Sequence, residues 1–97
     1  MDISVVIATY NRKDILVGCL EHLERQTYPK GKFEVIVVDD GSTDETEVAV
    51  NNYMKESKIT IKFFRQENKG AGEARNLGIK ESNGRYCFFI SDDEYPS

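Results

Sequence analysis

Hydrophobic residues along the chain fall into four short runs rich in β-branched and aromatic side chains. The runs cover residues 3–8, 33–38, 59–64 and 86–90. They show little strict alternation of apolar and polar positions, which is typical of strands buried on both faces of a parallel sheet. The pattern therefore predicts four strands, three of them followed by a polar segment that ends the run abruptly.

The three stretches between these runs carry apolar residues at helical spacing. We expect Asn11 to cap the first helix, and Ser42 with Glu45 to form the capping box of the second helix. The third helix should begin after Gly70 and end before residues 83–84, an Asn-Gly pair. The second helix has the thinner apolar face, so we expect it to be the more exposed one.

This alternation of strands and helices predicts one α/β domain over residues 1–97. Strands joined through helices run parallel, and right-handed crossovers place the helices on both sides of the sheet. The predicted fold class is a Rossmann-like, open and mainly parallel sheet of about four strands with three helices on its two faces. At 97 residues the chain is long enough for one such domain, and no linker or internal repeat divides it.

Polar residues follow three of the predicted strands, at the edge where open α/β sheets bind their ligands. Because parallel strands end at the same edge, we expect these side chains to line a single crevice. They are Thr9, Tyr10 and Asn11 after the first strand, Asp39 and Asp40 after the second, and Asp92 and Asp93 after the fourth.

Each of these groups also has a structural interpretation. Thr9 and Asn11 are common in turns and helix caps, and acids before a helix favour its N-terminus. Helix electrostatics explains Asp44 well but explains two acids before a glycine less well, and the last acidic pair can be a solvated chain end. The convergence of three strand ends is what favours a binding site.

Paired carboxylates at one edge suit a hard divalent cation, so we expect Mn²⁺ or Mg²⁺ as cofactor. Such cations prefer oxygen ligands and often share them with substrate phosphates. A bound cation would neutralise a diphosphate as it leaves. A carboxylate without metal would accept an N–H of a pyrimidine or a ribose hydroxyl.

The glycine-rich segment at residues 70–75 resembles a dinucleotide-binding loop only superficially. Arg75 stands where the third glycine of that pattern would be, and the segment follows the third strand rather than the first. Arg75 has two interpretations of equal weight. It approaches a phosphate or a base, or it forms a surface ion pair with Glu73 or Glu81.

Composition argues against several classes of protein. The net charge of −4 argues against a general nucleic-acid surface, which needs clustered Lys and Arg. Cys19 and Cys87 lie in apolar surroundings without a CxxC pattern, so we expect buried, reduced thiols. No signal sequence and no membrane-spanning segment is visible in this chain, so we expect a cytoplasmic protein.

Five motifs, in order along the whole chain, resemble family-two glycosyltransferases of the GT-A fold. They occupy residues 5–12, 26–29, 37–44, 68–78 and 88–93. The resemblance implies that the chain binds a nucleotide sugar, with Thr9 and Asn11 beside the base and Asp39 accepting a pyrimidine N–H. It further places Arg75 near the nucleotide, Asp92 at the ribose or the metal, and Asp93 on the cation.

Two positions depart from the family pattern. Ala8 stands where a proline is common, which changes little because alanine also permits an extended strand end. Ser91 occupies a position often held by the first acid of the metal motif, which leaves Asp92 and Asp93 to hold the cation.

The resemblance implies a glycosyltransferase, with a UDP-sugar as the family-weighted donor, in polysaccharide or cell-envelope biosynthesis. In this family the acceptor site and the base of inverting members follow the metal motif. The chain ends at Ser97, so we expect the catalytic base to lie beyond Ser97 and assign no catalytic residue within residues 1–97.

We therefore expect the chain to be the donor half of a longer enzyme, for which attachment to a membrane stays open. By itself it should bind the donor nucleotide weakly and transfer no sugar. A strand edge left uncovered predicts weak self-association.

Two other classes are weighed against this interpretation. A receiver-type signalling domain also has paired acids in a parallel α/β fold, but its acids follow the first strand and it needs a later lysine-bearing strand. A non-catalytic nucleotide-binding domain with the same fold is the second alternative. Nucleotide binding that depends on Mn²⁺ separates the glycosyltransferase from the receiver.

Overall fold

The computed structural model describes residues 2–26 and 28–91, with the backbone alone described at 91. The chain forms four strands and three α-helices in strict alternation, with a short 3₁₀ helix at Lys30–Lys32 before the second strand. The elements are β1 Ile3–Thr9, α1 Lys13–Glu24, β2 Phe33–Asp39, α2 Thr46–Glu56, β3 Thr60–Arg65, α3 Ala71–Glu81 and β4 Tyr86–Ser91. The predicted strands and helices are all present.

The four strands form one fully parallel sheet in the order β3-β2-β1-β4. This is the order of the first half of a Rossmann fold, so the predicted fold class is confirmed. The chain leaves β1 toward β2 on one side and reaches β4 on the other. In such sheets the crevice at this reversal of strand order, here between β1 and β4, is where ligands bind.

The sheet buries both of its faces, as its apolar runs predict. On one face α1 and α2 cover a cluster in which Ile7, Leu16, Leu20, Val35, Val37 and Val50 are completely buried. On the other face α3 packs its Ala74 against Val6, Ile36 and Val38. All seven residues of β2 are buried, because this strand is central in the sheet.

The two predicted helix caps are wrong. Neither α1 nor α2 has a side-chain hydrogen bond at its N-cap, and α2 begins at Thr46, four residues after Ser42. Asp44 serves both helices instead, since its carboxylate accepts the Lys13 N–H at 3.0 Å and the Thr46 hydroxyl. Asn11 and Ser42 are used elsewhere, as described below, and the predicted helix-terminal role of Asp44 is confirmed.

A buried carboxylate, that of Glu34, lies at the amino-terminal edge of the sheet. Glu34 is fully buried and accepts hydrogen bonds of 2.6 Å from both the Ser4 hydroxyl and the Asn83 N–H. Lys62 Nζ lies 3.0 Å from its other oxygen. The carboxylate therefore joins β1, β2, β3 and the loop that follows α3.

Neither cysteine is in a disulfide; Cys19 is buried and Cys87 partly buried. Among the described residues, none of the helices has the length and apolar character needed to cross a membrane.

Candidate functional site

The strand register brings the predicted polar strand ends together at the carboxyl edge. Thr9 of β1 pairs with Asp39 of β2, and Asp39 pairs with Arg65 of β3. On the other side of β1, Ala8 pairs with Ser91, the last residue of β4. The expected convergence of three strand ends is therefore observed in the backbone, with the end of β3 as a fourth contributor.

The end of β1 presents two exposed residues next to the reversal of strand order. Thr9 is buried, and its carbonyl accepts the Asp40 N–H at 2.9 Å. Tyr10 is 45% exposed. Asn11 is exposed with a left-handed φ of 51°, a conformation that asparagine tolerates better than most residues. Its side-chain oxygen accepts the Thr43 N–H at 2.7 Å, which fixes the turn after β1 onto the turn after β2.

Asp39 is enclosed by protein groups. Its Oδ1 accepts the Ser42 N–H at 3.0 Å and the Ser42 hydroxyl at 2.5 Å, and its Oδ2 accepts Arg65 Nη1 at 3.1 Å. The side chain has no exposed surface. That Asp39 accepts a pyrimidine N–H stays a prediction, and in this arrangement no face of its carboxylate is open to a ligand.

Asp40 holds a different loop, the one that joins β3 to α3. Its Oδ1 accepts Gln66 Nε2 at 2.8 Å and the Lys69 N–H at 2.7 Å, and its Oδ2 accepts the Gly70 N–H at 3.0 Å. Burial, the largest influence, raises the pKa of Asp40, but these hydrogen bonds together outweigh it and lower the pKa below its ordinary value. Asp40 is therefore a carboxylate anion at the edge of the crevice.

Gly41 allows this loop to close over Asp40. Its φ of +84° favours glycine, and a Cβ at this position would lie 3.1 Å from the backbone nitrogen of Asn68. Beside it, a groove of about 420 Å³ is lined by Gly41, Arg65, Gln66, Glu67 and Asn68. The carboxyl edge thus offers a polar groove next to the two aspartates.

Arg75 lies on the second turn of α3 and is exposed. Whether it approaches a nucleotide stays a prediction. Asp92 and Asp93 lie outside the described residues, so the geometry of the predicted metal ligands is not part of the described structure.

Ser97, the residue beyond which we expect the catalytic base, also lies outside the described residues. The position of that base therefore stays a prediction.

The described residues contain no group of three His, Cys, Asp or Glu side chains that could hold a metal ion. Asp39 and Asp40 each accept three hydrogen bonds from protein donors, so neither carboxylate is free of protein partners. That Asp92 and Asp93 hold the cation stays a prediction, since both lie outside the described residues.

The sequence motifs did not point to Arg65 and Gln66 as members of this edge. The end of the third strand has no acid pair or glycine signature, so it received no role. The signal was present nevertheless: in a parallel sheet the last residue of the third strand lies beside the last residue of the second, and a cation there meets Asp39.

Comparison with known proteins identifies the family. A family model for glycosyl transferase family 2 matches residues 4–97. The chain is 35% identical over 95 residues to the poly(ribitol-phosphate) beta-N-acetylglucosaminyltransferase TarS of Staphylococcus aureus, covering 98% of this chain and 17% of TarS. It is 41% identical over 96 residues to the poly(ribitol-phosphate) beta-glucosyltransferase of Bacillus spizizenii, covering 98% of this chain and 15% of that protein.

Solved structures agree. The crystal structure of TarS 1-349 with UDP matches with a TM-score of 0.90 and 37% identity, over 98% of this chain and 28% of that one. A complex of the same protein with UDP-GlcNAc matches at 0.89. The mannosyltransferase PcManGT of Pyrobaculum calidifontis, in complex with GDP-Man and Mn²⁺, matches at 0.92 with 28% identity, over 98% of this chain and 28% of that one.

The chain thus spans less than a third of each of these relatives. The receiver-type alternative is wrong on two grounds: the family match, and the strand order, which in receivers is 2-1-3-4-5 rather than the β3-β2-β1-β4 order found here.

Proposed function

Because this chain belongs to glycosyl transferase family 2, we propose that it forms the donor-nucleotide part of an enzyme that transfers a sugar from a UDP-sugar. The observation that carries the proposal is the meeting of three polar strand ends at the reversal of strand order. For the whole protein, we propose that the acceptor is a polymer of the cell envelope. Relatives whose names include poly(ribitol-phosphate) support this.

We propose a UDP-sugar rather than another nucleotide sugar as the donor, because the solved relative with the higher identity was crystallised with UDP and UDP-GlcNAc. TarS, at 37% identity, was solved with UDP and with UDP-GlcNAc, whereas the relative solved with GDP-Man is 28% identical. The proposed nucleotide site consists of Thr9, Tyr10, Asn11, Asp40, Arg75 and Asp92, arranged around Asp39, whose carboxylate is enclosed by protein groups.

Within this site the described residues suggest different tasks. Tyr10, exposed at the end of β1, provides an aromatic face on which a base can stack. From the described residues Asp40 Oδ2 accepts one hydrogen bond, and a carboxylate oxygen has room for a second donor such as a base N–H. Arg75, on the first turns of α3, provides a cation for a diphosphate.

The proposed cofactor is Mn²⁺ or Mg²⁺, held by Asp92 and Asp93. When bound, it would neutralise the diphosphate leaving group. In support, one structural relative was solved with Mn²⁺ beside its nucleotide sugar, and the two buried aspartates at this edge are occupied by protein donors.

Calorimetric titration with UDP, with and without Mn²⁺, tests the proposal in the whole protein that carries this chain. We expect binding that strengthens with Mn²⁺ and loses that dependence in Asp93→Ala. Glu56→Ala, an exposed acid at the far end of α2, is the matched control and should bind as the unmodified protein does. Absence of UDP binding in the unmodified protein would refute the proposal.

Sugar transfer is tested separately from binding. We expect the whole protein to transfer the sugar of a UDP-sugar to an acceptor or to water. The 97-residue chain alone should transfer nothing to any acceptor, because the proposed base follows Ser97. Transfer by the 97-residue chain would place the base within it, and nucleotide binding without transfer by the whole protein would favour the non-catalytic alternative.

Weak self-association through β4 is a further part of the proposal. β4 lies at one edge of the described sheet, and Tyr86, Phe88 and Phe89 on it are each 46–63% exposed. An unpaired strand edge with apolar side chains is a template for pairing with another chain. Sedimentation of the 97-residue chain should show mass increasing with concentration, and a clean monomer at high concentration would contradict this.

A further inference from the structure

The Ser42 hydroxyl joins two loops at the carboxyl edge. It donates its single hydrogen to Asp39 Oδ1 and accepts the backbone N–H of Asn11 at 2.8 Å. A hydroxyl has one donor and two acceptor sites, so the carboxylate fixes which way the hydrogen points. Asp39 thereby leaves the Ser42 oxygen free to accept the Asn11 N–H.

Asn11 depends on this acceptor because its backbone is unusual. Its φ of 51° lies in the left-handed region, which costs free energy for any residue other than glycine unless neighbouring groups hold it. Ser42 holds the Asn11 N–H and Thr43 holds its side chain. The adjacent Tyr10, 45% exposed just after β1, belongs to the same turn.

Arg65 extends this chain of contacts to β3, which is not a neighbour of β1 in the sheet. Its guanidinium donates from Nη1 to Asp39 Oδ2 at 3.1 Å and from Nη2 to the Ser42 carbonyl at 2.8 Å. These two hydrogen bonds connect Arg65 to both ends of the turn from Asp39 to Ser42. The planar fork of arginine makes them together, whereas the single ammonium of lysine cannot reproduce that geometry.

We propose that Arg65 and Asp39 are positioning residues for the donor site: they hold Ser42 so that the Tyr10–Asn11 turn is already in its binding conformation. Neither residue touches the nucleotide in this account. Arg65 is 44% exposed but points into the turn, and Asp39 is completely enclosed. The inference rests on the proposed function of this edge and adds residues that recognise no ligand themselves.

The test is a double-mutant cycle on UDP affinity in the whole protein, with variants Arg65→Gln, Ser42→Ala and the combination of both. Coupling through a packed network typically changes affinity by a few-fold to about tenfold. We expect Arg65→Gln to weaken UDP binding about fivefold, and the double variant to bind no more weakly than Ser42→Ala alone, since Arg65 acts through Ser42.

Arg65→Lys and Arg85→Gln complete the design. Arg65→Lys keeps the charge but loses the fork, so we expect it to restore only part of the affinity. Arg85→Gln removes an exposed arginine at the other end of the sheet and should leave UDP binding unchanged.

A second readout separates positioning from overall stability. The amide resonance of Asn11 should shift in Arg65→Gln at a temperature where the variant is fully folded. The inference would be overturned if the losses of UDP affinity of the two single variants add in the double variant. It would also be overturned if Arg65→Gln binds UDP as tightly as the unmodified protein. If the unmodified protein binds no UDP, the proposed function fails instead. A shifted Asn11 resonance in Arg65→Gln would still show that Arg65 positions the turn through Ser42.

Discussion

Asp39 and Glu34 stand near opposite ends of β2, and their carboxylates have nearly the same surroundings. Both are completely buried, each accepts a hydrogen bond from a serine hydroxyl, and each pairs with a cation of β3. The cations are Lys62 at the amino-terminal edge and Arg65 at the carboxyl edge. Burial and ion pairing therefore do not by themselves distinguish a functional acid from a structural one.

The two acids differ in what they hold. Glu34 joins three strands to the loop after α3, at the edge where open α/β sheets do not bind ligands. Asp39 joins turns that border the crevice, and its neighbour Asp40 holds the N-terminal end of α3. We expect Glu34 to serve folding alone, whereas Asp39 and Asp40 should serve both folding and the shape of the proposed site.

The largest expected effect separates these roles. Glu34→Ala leaves the Ser4 hydroxyl and the Asn83 N–H without their buried acceptor, and we expect it to lower the free energy of unfolding by about 3 kcal/mol. UDP affinity of the folded fraction should not change. Urea unfolding and calorimetry measure the two quantities. The exposed Glu21→Ala is the control, and a selective loss of UDP affinity in Glu34→Ala would remove the distinction.

Gly78→Ala tests the helix that connects the two edges. A Cβ on Gly78 would lie 2.3 Å from Val6 Cγ1 in the buried contact between α3 and β1, and we expect this overpacking to cost about 2 kcal/mol. Gly72→Ala lies on the same helix with nothing within 4 Å, so it should stabilise by roughly 0.5 kcal/mol. Thermal unfolding compares the pair. Equal effects of the two substitutions would show that α3 does not pack as described.

Acid should weaken both edges, but from different starting points. Burial raises the pKa of Glu34, yet hydrogen bonds from Ser4, Asn83 and Lys62 lower it overall from its ordinary 4.5. The pKa of Asp40 is likewise lowered from 3.8. An acid with a lowered pKa contributes its full stabilisation above the ordinary value and loses it as pH falls through the lower, folded-state value.

We therefore expect the free energy of unfolding to decrease below pH 4.5 through Glu34 and below pH 3.8 through Asp40. Denaturant unfolding at a series of pH values measures this. Glu34→Gln should reduce the decrease in the free energy of unfolding that begins below pH 4.5. Asp40→Asn should reduce the decrease that begins below pH 3.8. The same pH dependence in the unmodified protein and in both variants would contradict these assignments.

The smallest effect belongs to Arg75. Because the residue is exposed on α3, Arg75→Ala should leave the free energy of unfolding within about 0.5 kcal/mol. If it lies near the diphosphate, UDP affinity should fall roughly threefold, with a weaker effect on uridine, which lacks phosphates. An equal loss for UDP and uridine would argue that Arg75 meets the base instead of the phosphates.

The fold was predictable because each buried run and each helix is local in sequence, and their alternation leaves few topologies. Contacts between distant residues were not predictable. Ser42 looks like a helix cap, but its hydroxyl bonds to Asp39 and Asn11, and helix α2 starts at Thr46, whose hydroxyl donates to Asp44. Glu34 sits in an apolar run, and its partner Asn83 is 49 residues away.

The candidate site was predictable in part for the same reason. Strand ends mark Thr9, Tyr10, Asn11, Asp39 and Asp40; the register places Thr9 beside Asp39, and a backbone hydrogen bond joins Asp40 to Thr9. Which oxygen of each aspartate is already occupied depends on Arg65 and Gln66, two residues with no distinctive motif. Pairing of strands therefore predicts the position of the site, while its hydrogen bonding required the structure.

The most direct test of the carboxyl edge as the donor site is a UDP titration followed by amide resonances in selectively isotope-labelled whole protein. We expect shifts at Tyr10, Asn11 and Asp40, and none at Glu34 or Asn83. Shifts at the amino-terminal edge with none at the carboxyl edge would contradict it.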